Sequence, residues 1–392
     1  MKKDNFNIFY DRRNSDSIKW SAYSGDILPN WIADADYAVP EVVVSSLRER
    51  LKHPVFGYCN QHPQKLQELI VQRMKRLYQW EIKADWLCFI PGVVGGLNSS
   101  RAIMGDIGSN AVTALPVYPH VKNATPVLER PMKFSSMQNV NGRFTPDFDE
   151  LEAAIDDKTK MLMLCNPHNP VGTVYTKTEL STFAQIAEKH NLLICSDDIH
   201  ADFVLYEDKP YRPIASLSPD IAERTITLMA ASKTFNIAGL VCSYAIIPNE
   251  MLRRQFTTQV KGLVGEVNIF GFLASEAAYE HGQEWLAAQI VHLRDNAEYC
   301  HRRINAMPML SMNKMEATFL AWVNAEKLNE KVKAVGFNNA YEYFLTYGVA
   351  VSDGQPFGDP NYFRLNLATG YKTLKEVLDT VETAVAALPH QL

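Results

Sequence analysis

Apolar segments and amphipathic segments alternate along most of the chain. We predict buried strands where the apolar runs are continuous, at 86–90, 111–115, 160–165, 192–196, 225–230 and 241–246. Helices are predicted where apolar positions recur every three or four residues, at 41–50, 63–79, 94–104, 147–155 and 178–190. Strands that are apolar on both faces are typical of a parallel sheet covered by helices. The pattern therefore predicts an α/β fold with a mostly parallel central sheet and right-handed crossovers.

The two ends of the chain have a different pattern of apolar and polar positions. The first 40 residues are mixed and rich in turns, and a long helical stretch, 283–307, is followed by shorter strands and helices. A chain of 392 residues exceeds the size at which one core keeps growing. We predict a large domain at 48–282 and a smaller α+β domain at 283–392, which residues 1–47 join as an arm.

A single lysine, Lys233, follows the predicted strand 225–230, and a loop closing at Gly239 comes after it. Ligands of α/β proteins collect at the carboxyl ends of the strands. The plain alternative is a solvated surface lysine, because most lysines are exposed. Apolar neighbours favour the neutral amine, which is a nucleophile that can form a Schiff base. The position of Lys233 therefore predicts a reactive amine.

Polar motifs follow other predicted strands. Asp197 lies in SDDIHADF and Asn169 in CNPHNPVG, while PGVVGGL (91–97) leaves a strand and opens a helix whose N-terminus suits an anion. Helix capping and turn formation are the plain alternatives for the first two motifs. Arg364 stands inside the strand-like run YFRLNLA, where a buried guanidinium needs a partner.

Together these motifs resemble those of fold-type I pyridoxal phosphate (PLP) enzymes. SKTFNIAGL (232–240), SDDIHADF and CNPHNPVG are similar to motifs of the aminotransferase class I/II family, in the form seen in MalY/PatB-type cystathionine β-lyases. Asn169 and Asp197 are 28 residues apart, and Asp197 and Lys233 are 36 apart, spacings typical of the family. The resemblance covers essentially the whole chain and implies an aspartate-aminotransferase-like large domain with PLP as cofactor.

The resemblance also implies a role for each residue of the motifs. Lys233 would hold the cofactor and act in catalysis, and Asp197 would pair with the pyridine nitrogen. The other cofactor-binding residues would be the amides of Val93 and Val94 with Ser232 at the phosphate, Tyr118 on the ring face, and Asn169 and His200 near the ring oxygen.

Three further motifs of the family concern the substrate and a second subunit. Arg364 would bind the substrate α-carboxylate, and the backbone around Ala33, in WIADADY, would line the substrate side. Tyr58, in FGY, would reach the phosphate of a neighbouring subunit. The resemblance therefore implies a homodimer with shared active sites.

The chain also departs from the family pattern. Typical aminotransferases carry an arginine eight residues after the lysine and a serine three before it, where this chain has Val241 and Ala230. The missing arginine favours a carbon–sulfur β-lyase acting on cystathionine or related S-substituted cysteines. An aminotransferase on the same scaffold is the alternative, and a regulatory protein that acts through a partner surface is a third possibility.

Composition limits the classes of binding partner and the cellular compartment that we expect. A formal charge of −5 gives no basic surface for nucleic acid or anionic membranes, which favours a small-molecule partner. The six cysteines form no C-x-x-C pair, so neither a zinc site nor a disulfide framework is predicted, and no metal ligand set is expected. The N-terminus has no apolar segment of a signal peptide and no run reaches membrane-spanning length, so we expect a cytoplasmic protein.

Overall fold

The computed structural model describes residues 6–123 and 126–388. The strands are β1 (Leu28–Pro29), β2 (Leu87–Ile90), β3 (Asn110–Leu115), β4 (Met132–Val140), β5 (Arg143–Pro146), β6 (Thr159–Cys165), β7 (Leu193–Asp197), β8 (Thr225–Met229), β9 (Ser243–Ile246), β10 (Ser311–Met312), β11 (Leu320–Asn324), β12 (Val349–Ala350), β13 (Ser352–Asp353) and β14 (Tyr362–Asn366).

Helices connect and cover these strands. They are α1 (Ile18–Ser21), α2 (Glu41–Leu51), α3 (Gln64–Tyr78), α4 (Val93–Ala102), α5 (Pro119–Lys122), α6 (Phe148–Ala153), α7 (Lys177–Lys189), α8 (Pro219–Glu223), α9 (Ala231–Thr234), α10 (Glu250–Leu263), α11 (Ile269–His281), α12 (Gln283–Ala306), α13 (Glu326–Ala334), α14 (Ala340–Thr346) and α15 (Tyr371–Ala386).

The central sheet has the strand order β2-β9-β8-β7-β6-β3-β4-β5. Strands β8, β7, β6, β3 and β4 pair in parallel, whereas β9 and β5 run antiparallel to their neighbours. Residues 161–163 of β6 and all of β8 are buried, because helices cover both faces of the sheet. The predicted α/β class with a mostly parallel sheet is confirmed, and the parallel strands end at one edge, where a site can form.

Local sequence explains where the helices begin. In α7, the Thr176 hydroxyl accepts from the Glu179 amide and the Glu179 carboxylate accepts from the Thr176 amide, which makes a capping box. In α10, the side chain of Asn249 accepts from the Leu252 amide. These caps satisfy amides that the first helical turn leaves without partners.

A smaller sheet lies in the C-terminal part of the chain. Its strand order is β10-β11-β14-β13, with antiparallel pairing throughout. Strand β1 near the N-terminus pairs in parallel with β12, so the N-terminal segment packs on the C-terminal part. This contact agrees with an arm that joins the smaller domain, and the domain boundaries stay a prediction.

Several elements differ from the sequence-based prediction. The segment after β8 was predicted as a loop but begins with the short helix α9. The strand predicted at 241–246 begins only at Ser243, because Val241 has a positive φ of 46°. Helices α10 and α11 and the hairpin of β4 and β5 were not predicted.

Two expectations concern membranes and targeting. Within the described part of the chain, none of the helices combines the length and the apolarity that crossing a bilayer requires. Residues 1–5, which carry the expectation about a signal peptide, lie outside the described residues.

Candidate active site

A cavity of about 300 Å³ opens at the carboxyl ends of β6, β7 and β8. It brings together most of the residues that the sequence motifs predict for the site. The residues that line it are Ile32, Ala33, Gly92, Val93, Val94, Tyr118, Cys165, Asn169, Asp197, Ile199, His200, Ser232, Lys233, Ala238, Val241, Ser243 and Arg364.

Lys233 lies in helix α9, directly after β8. Its Nζ donates a hydrogen bond of 2.6 Å to the carbonyl oxygen of Ala33. Burial, together with the nearby Arg364, lowers the pKa of Lys233 to about 8, although Asp34 and Asp197 act in the opposite direction. The neutral, nucleophilic fraction of this amine near neutral pH is therefore much larger than that of an ordinary lysine.

Two contacts fix the segment that carries the lysine. The Thr234 hydroxyl donates a 2.8 Å hydrogen bond to Asp202, whose carboxylate also pairs with the buried Arg73. The Asn236 side chain bonds the backbone of Ala35 through both its oxygen and its nitrogen, at 3.1 Å each, and bonds the Tyr37 carbonyl at 2.9 Å. The lysine segment is thus attached both to the loop that follows β7 and to the N-terminal segment.

Asp197 ends strand β7 and is only 1% exposed. Its Oδ1 accepts a 3.3 Å hydrogen bond from the Ile199 amide, and burial raises the pKa of Asp197 to about 7. The neighbouring Asp198 points away from the cavity and accepts hydrogen bonds from Ser196 and Tyr211. Of the two acids, Asp197 is therefore the one that can hold a cationic group of a ligand.

The N-terminus of helix α4 forms one end of the cavity. Gly92 precedes the helix with φ of 97°, a conformation that side chains rarely adopt, and the first turn contains no acidic residue. The amides at the start of α4 lack intrahelical partners, and the helix dipole favours negative charge there. With Val93, Val94 and Ser232 in the lining, this end can hold a phosphate.

Three predicted ring-binding residues lie around the middle of the cavity. Burial raises the pKa of the Tyr118 phenol to about 12, so the ring remains neutral. His200 is 2% exposed, its Nδ1 has no hydrogen-bond partner among the described residues, and burial lowers its pKa to about 3. The Asn169 side-chain oxygen accepts from Arg364, which leaves its nitrogen as a donor towards the cavity.

Arg364 also lines the cavity and is 5% exposed. Its guanidinium donates at 3.1 Å to the Asn169 oxygen and at 3.1 Å to the Trp31 carbonyl, and its carbon lies 4.6 Å from the centre of the Phe357 ring. Its Nε has no hydrogen-bond partner, and the described residues offer it no carboxylate. Burial lowers the pKa of Arg364 to about 10, which still leaves it charged. Such a cation is suited to a carboxylate ligand.

Tyr58 is the predicted site residue that this cavity does not include. Its side chain is fully exposed on the loop between α2 and α3. Val241, at the position of the arginine that typical aminotransferases carry, lines the cavity and is 43% exposed. No cationic side chain therefore replaces that arginine among the described residues of the lining.

Sequence reasoning missed some of the lining. Cys165, Ile199 and Ser243 are placed by the strands and loops that carry the motifs, so the motif positions could have indicated them. Trp31, in the WIADADY motif, contributes a backbone carbonyl to Arg364, and Ser352 contributes a hydroxyl 3.5 Å from it. The motif was expected to line the substrate side, but neither contact with Arg364 was predicted, and no motif includes Ser352.

Comparison with known proteins agrees with this architecture. The profile of the family described as Aminotransferase class I and II matches residues 29–381. The chain belongs to this family. It is 32% identical to cystathionine beta-lyase PatB of Bacillus subtilis (strain 168), over 97% of this chain and 100% of that protein.

Solved structures show the same similarity. The crystal structure of OvoB matches with a TM-score of 0.92 and 39% identity, covering 98% of this chain and 99% of that one. The PLP-bound C-S lyase from Staphylococcus hominis matches with a TM-score of 0.91 and 30% identity, covering 98% and 99%. The predicted relationship to MalY/PatB-type lyases is thereby confirmed.

Proposed function

We propose that the chain is a PLP-dependent carbon–sulfur β-lyase that cleaves L-cystathionine or related S-substituted L-cysteines to a thiol, pyruvate and ammonia. The observation that carries the proposal is a single cavity that combines the amine of Lys233, the buried carboxylate of Asp197 and the guanidinium of Arg364. Full-length similarity to PatB and to the S. hominis lyase favours β-elimination over amino transfer.

The polar groups of the cavity fit PLP. Asp197 is a buried carboxylate that accepts one backbone hydrogen bond, and a protonated pyridine nitrogen would supply its missing cation. The amides at the start of α4 offer an anion site without an acidic residue nearby. His200 Nδ1 has no partner among the described residues, so it is available to a ring substituent.

We assign the cofactor contacts accordingly. Lys233 would hold the cofactor aldehyde and Asp197 its pyridine nitrogen, while Tyr118 would stack on the ring. The amides of Val93 and Val94 with Ser232 would bind the phosphate, and Asn169 and His200 would lie near the ring oxygen. When bound, PLP supplies an electron sink that stabilises negative charge at the substrate Cα.

Arg364 orients the substrate. Its contacts with Asn169 and the Trp31 carbonyl fix the plane of the guanidinium, whose Nε has no hydrogen-bond partner and which pairs with no carboxylate of the described residues. The α-carboxylate of an amino acid satisfies both the charge and the fork geometry. Binding there would place Cα between Arg364 and Lys233, which line the same cavity.

Lys233 moves the proton. Because its pKa is lowered to about 8, the amine can accept the Cα proton near neutral pH, and the Ala33 carbonyl at 2.6 Å orients its nitrogen. The Cβ–S bond then breaks, and both of its electrons leave with the sulfur as a thiolate. The apolar side chains of Ile32, Val93 and Ile199 limit the access of water to this step.

The proposal is tested by incubating the purified protein and PLP with L-cystathionine in the absence of a keto acid. We expect pyruvate and a free thiol in equal amounts, and no product from the Lys233→Ala variant. A protein that forms no pyruvate but transfers amino groups to an added keto acid would be the aminotransferase alternative.

We also propose that the functional form is a homodimer in the cytoplasm. Tyr58 and Phe56 are exposed on one loop, and a second copy that covers this loop would bring Tyr58 to the neighbouring phosphate. All six cysteines lie in the described residues and are unpaired, which agrees with a reducing compartment.

A further inference from the structure

A second cavity, of about 600 Å³, lies between the N-terminal segment and the lysine segment. We call it the N-terminal groove. Its walls come from residues 10–18, 32–38 and 233–239, and the residues that line it are Tyr10, Arg12, Ser15, Asp16, Ser17, Ile18, Ile32, Ala33, Asp34, Ala35, Asp36, Tyr37, Ala38, Lys233, Asn236, Ala238 and Gly239.

The groove adjoins the candidate active site. Ile32, Ala33, Lys233 and Ala238 line both cavities, so the two cavities share the segment that carries the amine proposed to remove the Cα proton. In the active-site cavity the substrate carboxylate is assigned to Arg364 and the phosphate to α4. The lining of the groove includes Lys233 but neither of these two anion sites, so the groove offers separate space for the sulfur substituent of a substrate.

The groove carries a net negative charge on its N-terminal wall. The carboxylates of Asp34 and Asp36 are paired with Arg12 and Lys19, at distances from 2.7 to 3.6 Å, and these four charges balance. Asp16 is exposed in the groove lining and has no ion-pair partner among the described residues. One carboxylate thus remains available to a ligand.

A buried polar group at the same wall also lacks a partner. Ser17 lines the groove, is 8% exposed, and its hydroxyl makes no hydrogen bond with the described residues. A buried hydroxyl without a partner is costly, and a hydrogen-bonding ligand would remove that cost. The Ser17 hydroxyl can either donate or accept, so it favours a polar ligand, whereas the charge of Asp16 favours a ligand that is a cationic donor.

We propose that the N-terminal groove binds the sulfur substituent of the substrate, and that Asp16 makes it prefer a substituent with a positively charged amino group. This rests on the proposed lyase function. The groove takes no part in bond making: Lys233 accepts the Cα proton, the Cβ–S electrons leave with the thiolate, and solvent protonates the thiolate.

Three substrates with similar side-chain length and different charge test the proposal. They are S-(2-aminoethyl)-L-cysteine, S-propyl-L-cysteine and S-carboxymethyl-L-cysteine, each assayed for thiol release by the PLP-loaded protein. We expect kcat/KM for the cationic substrate to exceed that for the neutral one by about five-fold, the upper range for one exposed charge pair, and the anionic substrate to be the poorest. The preference should weaken with added salt, because the charges are exposed.

Variants distinguish the effect of the Asp16 carboxylate on substrate preference from the effect of the shape of the groove. Asp16→Asn should abolish the preference without changing kcat/KM for S-propyl-L-cysteine, and Asp16→Lys should reverse it. Asp106→Asn is the matched control, since Asp106 is exposed and lies outside both cavities. Calorimetric affinities of the same three ligands for PLP-loaded Lys233→Ala protein, with and without Asp16→Asn, give the same comparison without turnover.

The outcomes distinguish the two proposals. Equal kcat/KM for cationic and neutral substrates, or an Asp16→Asn variant that behaves like Asp106→Asn, would contradict the groove assignment and leave the lyase function standing. If none of the substrates is cleaved, the lyase function fails, and the calorimetric comparison still decides whether the groove favours a cation.

Discussion

Protonation of Lys233 decides whether the cavity can react with an aldehyde. Burial lowers its pKa to about 8, so the neutral fraction grows as the pH rises and is complete only above that value. We predict that the rate at which the apoprotein takes up PLP, followed by visible absorbance, rises with pH and levels off above pH 8. An ordinary lysine, with a pKa of about 10.4, would level off about two pH units higher.

Two variants check that the absorbance reports this amine. Lys233→Ala should show no uptake signal at any pH. Lys372→Ala removes an amine that is 90% exposed and should leave the profile unchanged. A wild-type profile that is still rising at pH 10 would show that the pKa of Lys233 is not lowered.

Arg364 has a geometry that lysine cannot reproduce. Its two terminal nitrogens are held by Asn169 and by the Trp31 carbonyl, so its fork is oriented before a carboxylate arrives. We predict that Arg364→Lys lowers kcat/KM for L-cystathionine by about 100-fold, mainly through a higher KM, as is typical when a buried charged contact is lost. Steady-state kinetics measures the change, and the absorbance of bound PLP should remain.

The matched control for this change is Arg48→Lys. Arg48 is 71% exposed and pairs with the exposed Glu41 on helix α2, so its replacement should leave kinetics unchanged. An Arg364→Lys variant with an unaltered KM would argue against carboxylate binding at Arg364.

Sequence motifs predicted several of the side chains that meet in the cavity. Lys233, Asp197, Asn169 and Arg364 lie in it together, because the ends of parallel strands meet at one edge of the sheet. The contact between Arg364 and the Trp31 carbonyl spans 333 residues and uses a backbone atom. The WIADADY motif predicted that its backbone lines the substrate side, but residue types do not specify which carbonyl meets which side chain, so this contact could not be predicted.

At the scale of the helices and strands, two glycines determine how closely α4 can pack. A Cβ on Gly95 would lie 2.5 Å from Cγ1 of Val264, just after α10, and a Cβ on Gly96 would lie 2.6 Å from Cδ1 of Ile90. Real atoms do not approach so closely, so a side chain at either position would require α4 or the facing side chain to shift. These contacts give a physical reason for the Gly95-Gly96 pair.

We therefore predict that Gly95→Ala weakens PLP binding, because the displaced N-terminus of α4 would no longer align its amides with the phosphate. The expected loss is about ten-fold in affinity, comparable to one hydrogen bond to a charged group. Titration of the apoprotein with PLP measures it.

Gly262→Ala is the matched control. Gly262 lies in α10, a Cβ there would meet nothing within 4 Å, and alanine is favoured over glycine in helices. This variant should bind PLP normally. Equal affinities in the two variants would mean that the position of α4 does not depend on Gly95.

The elements that were not predicted have identifiable causes. Helix α11 is apolar on several faces because it packs against α2, α3 and α12, so it lacks an amphipathic period. Helix α10 does carry a stripe at spacing four, Leu252, Phe256 and Val260, and this signal was available in the sequence. Helix α9 has four residues, too few for any periodicity.

At the scale of the whole molecule, one surface carries a cluster of exposed apolar side chains. The loop after α2 exposes Val55, Phe56 and Tyr58, and the side chain of Gln61 bonds the Val267 backbone of the neighbouring loop. Clustered exposed apolar side chains are typical of an interface. The phosphate end of the cavity also lacks the arginine of typical aminotransferases, since Val241 stands there.

Both features have one explanation if a second copy covers this surface and supplies Tyr58 to the phosphate. We predict that the protein sediments as a homodimer, and that Phe56→Asp, which places a charge on the apolar loop, produces monomers with weak PLP affinity. Tyr58→Phe should remain dimeric and lose about ten-fold in PLP affinity, the effect of one hydrogen bond to a charged group.

Ile107→Asp is the matched control: it changes an equally apolar side chain that is 76% exposed elsewhere, and it should alter neither the oligomeric state nor the PLP affinity. A monomeric wild-type protein that binds PLP tightly would contradict the shared site, because Tyr58 of the same chain does not line its own cavity.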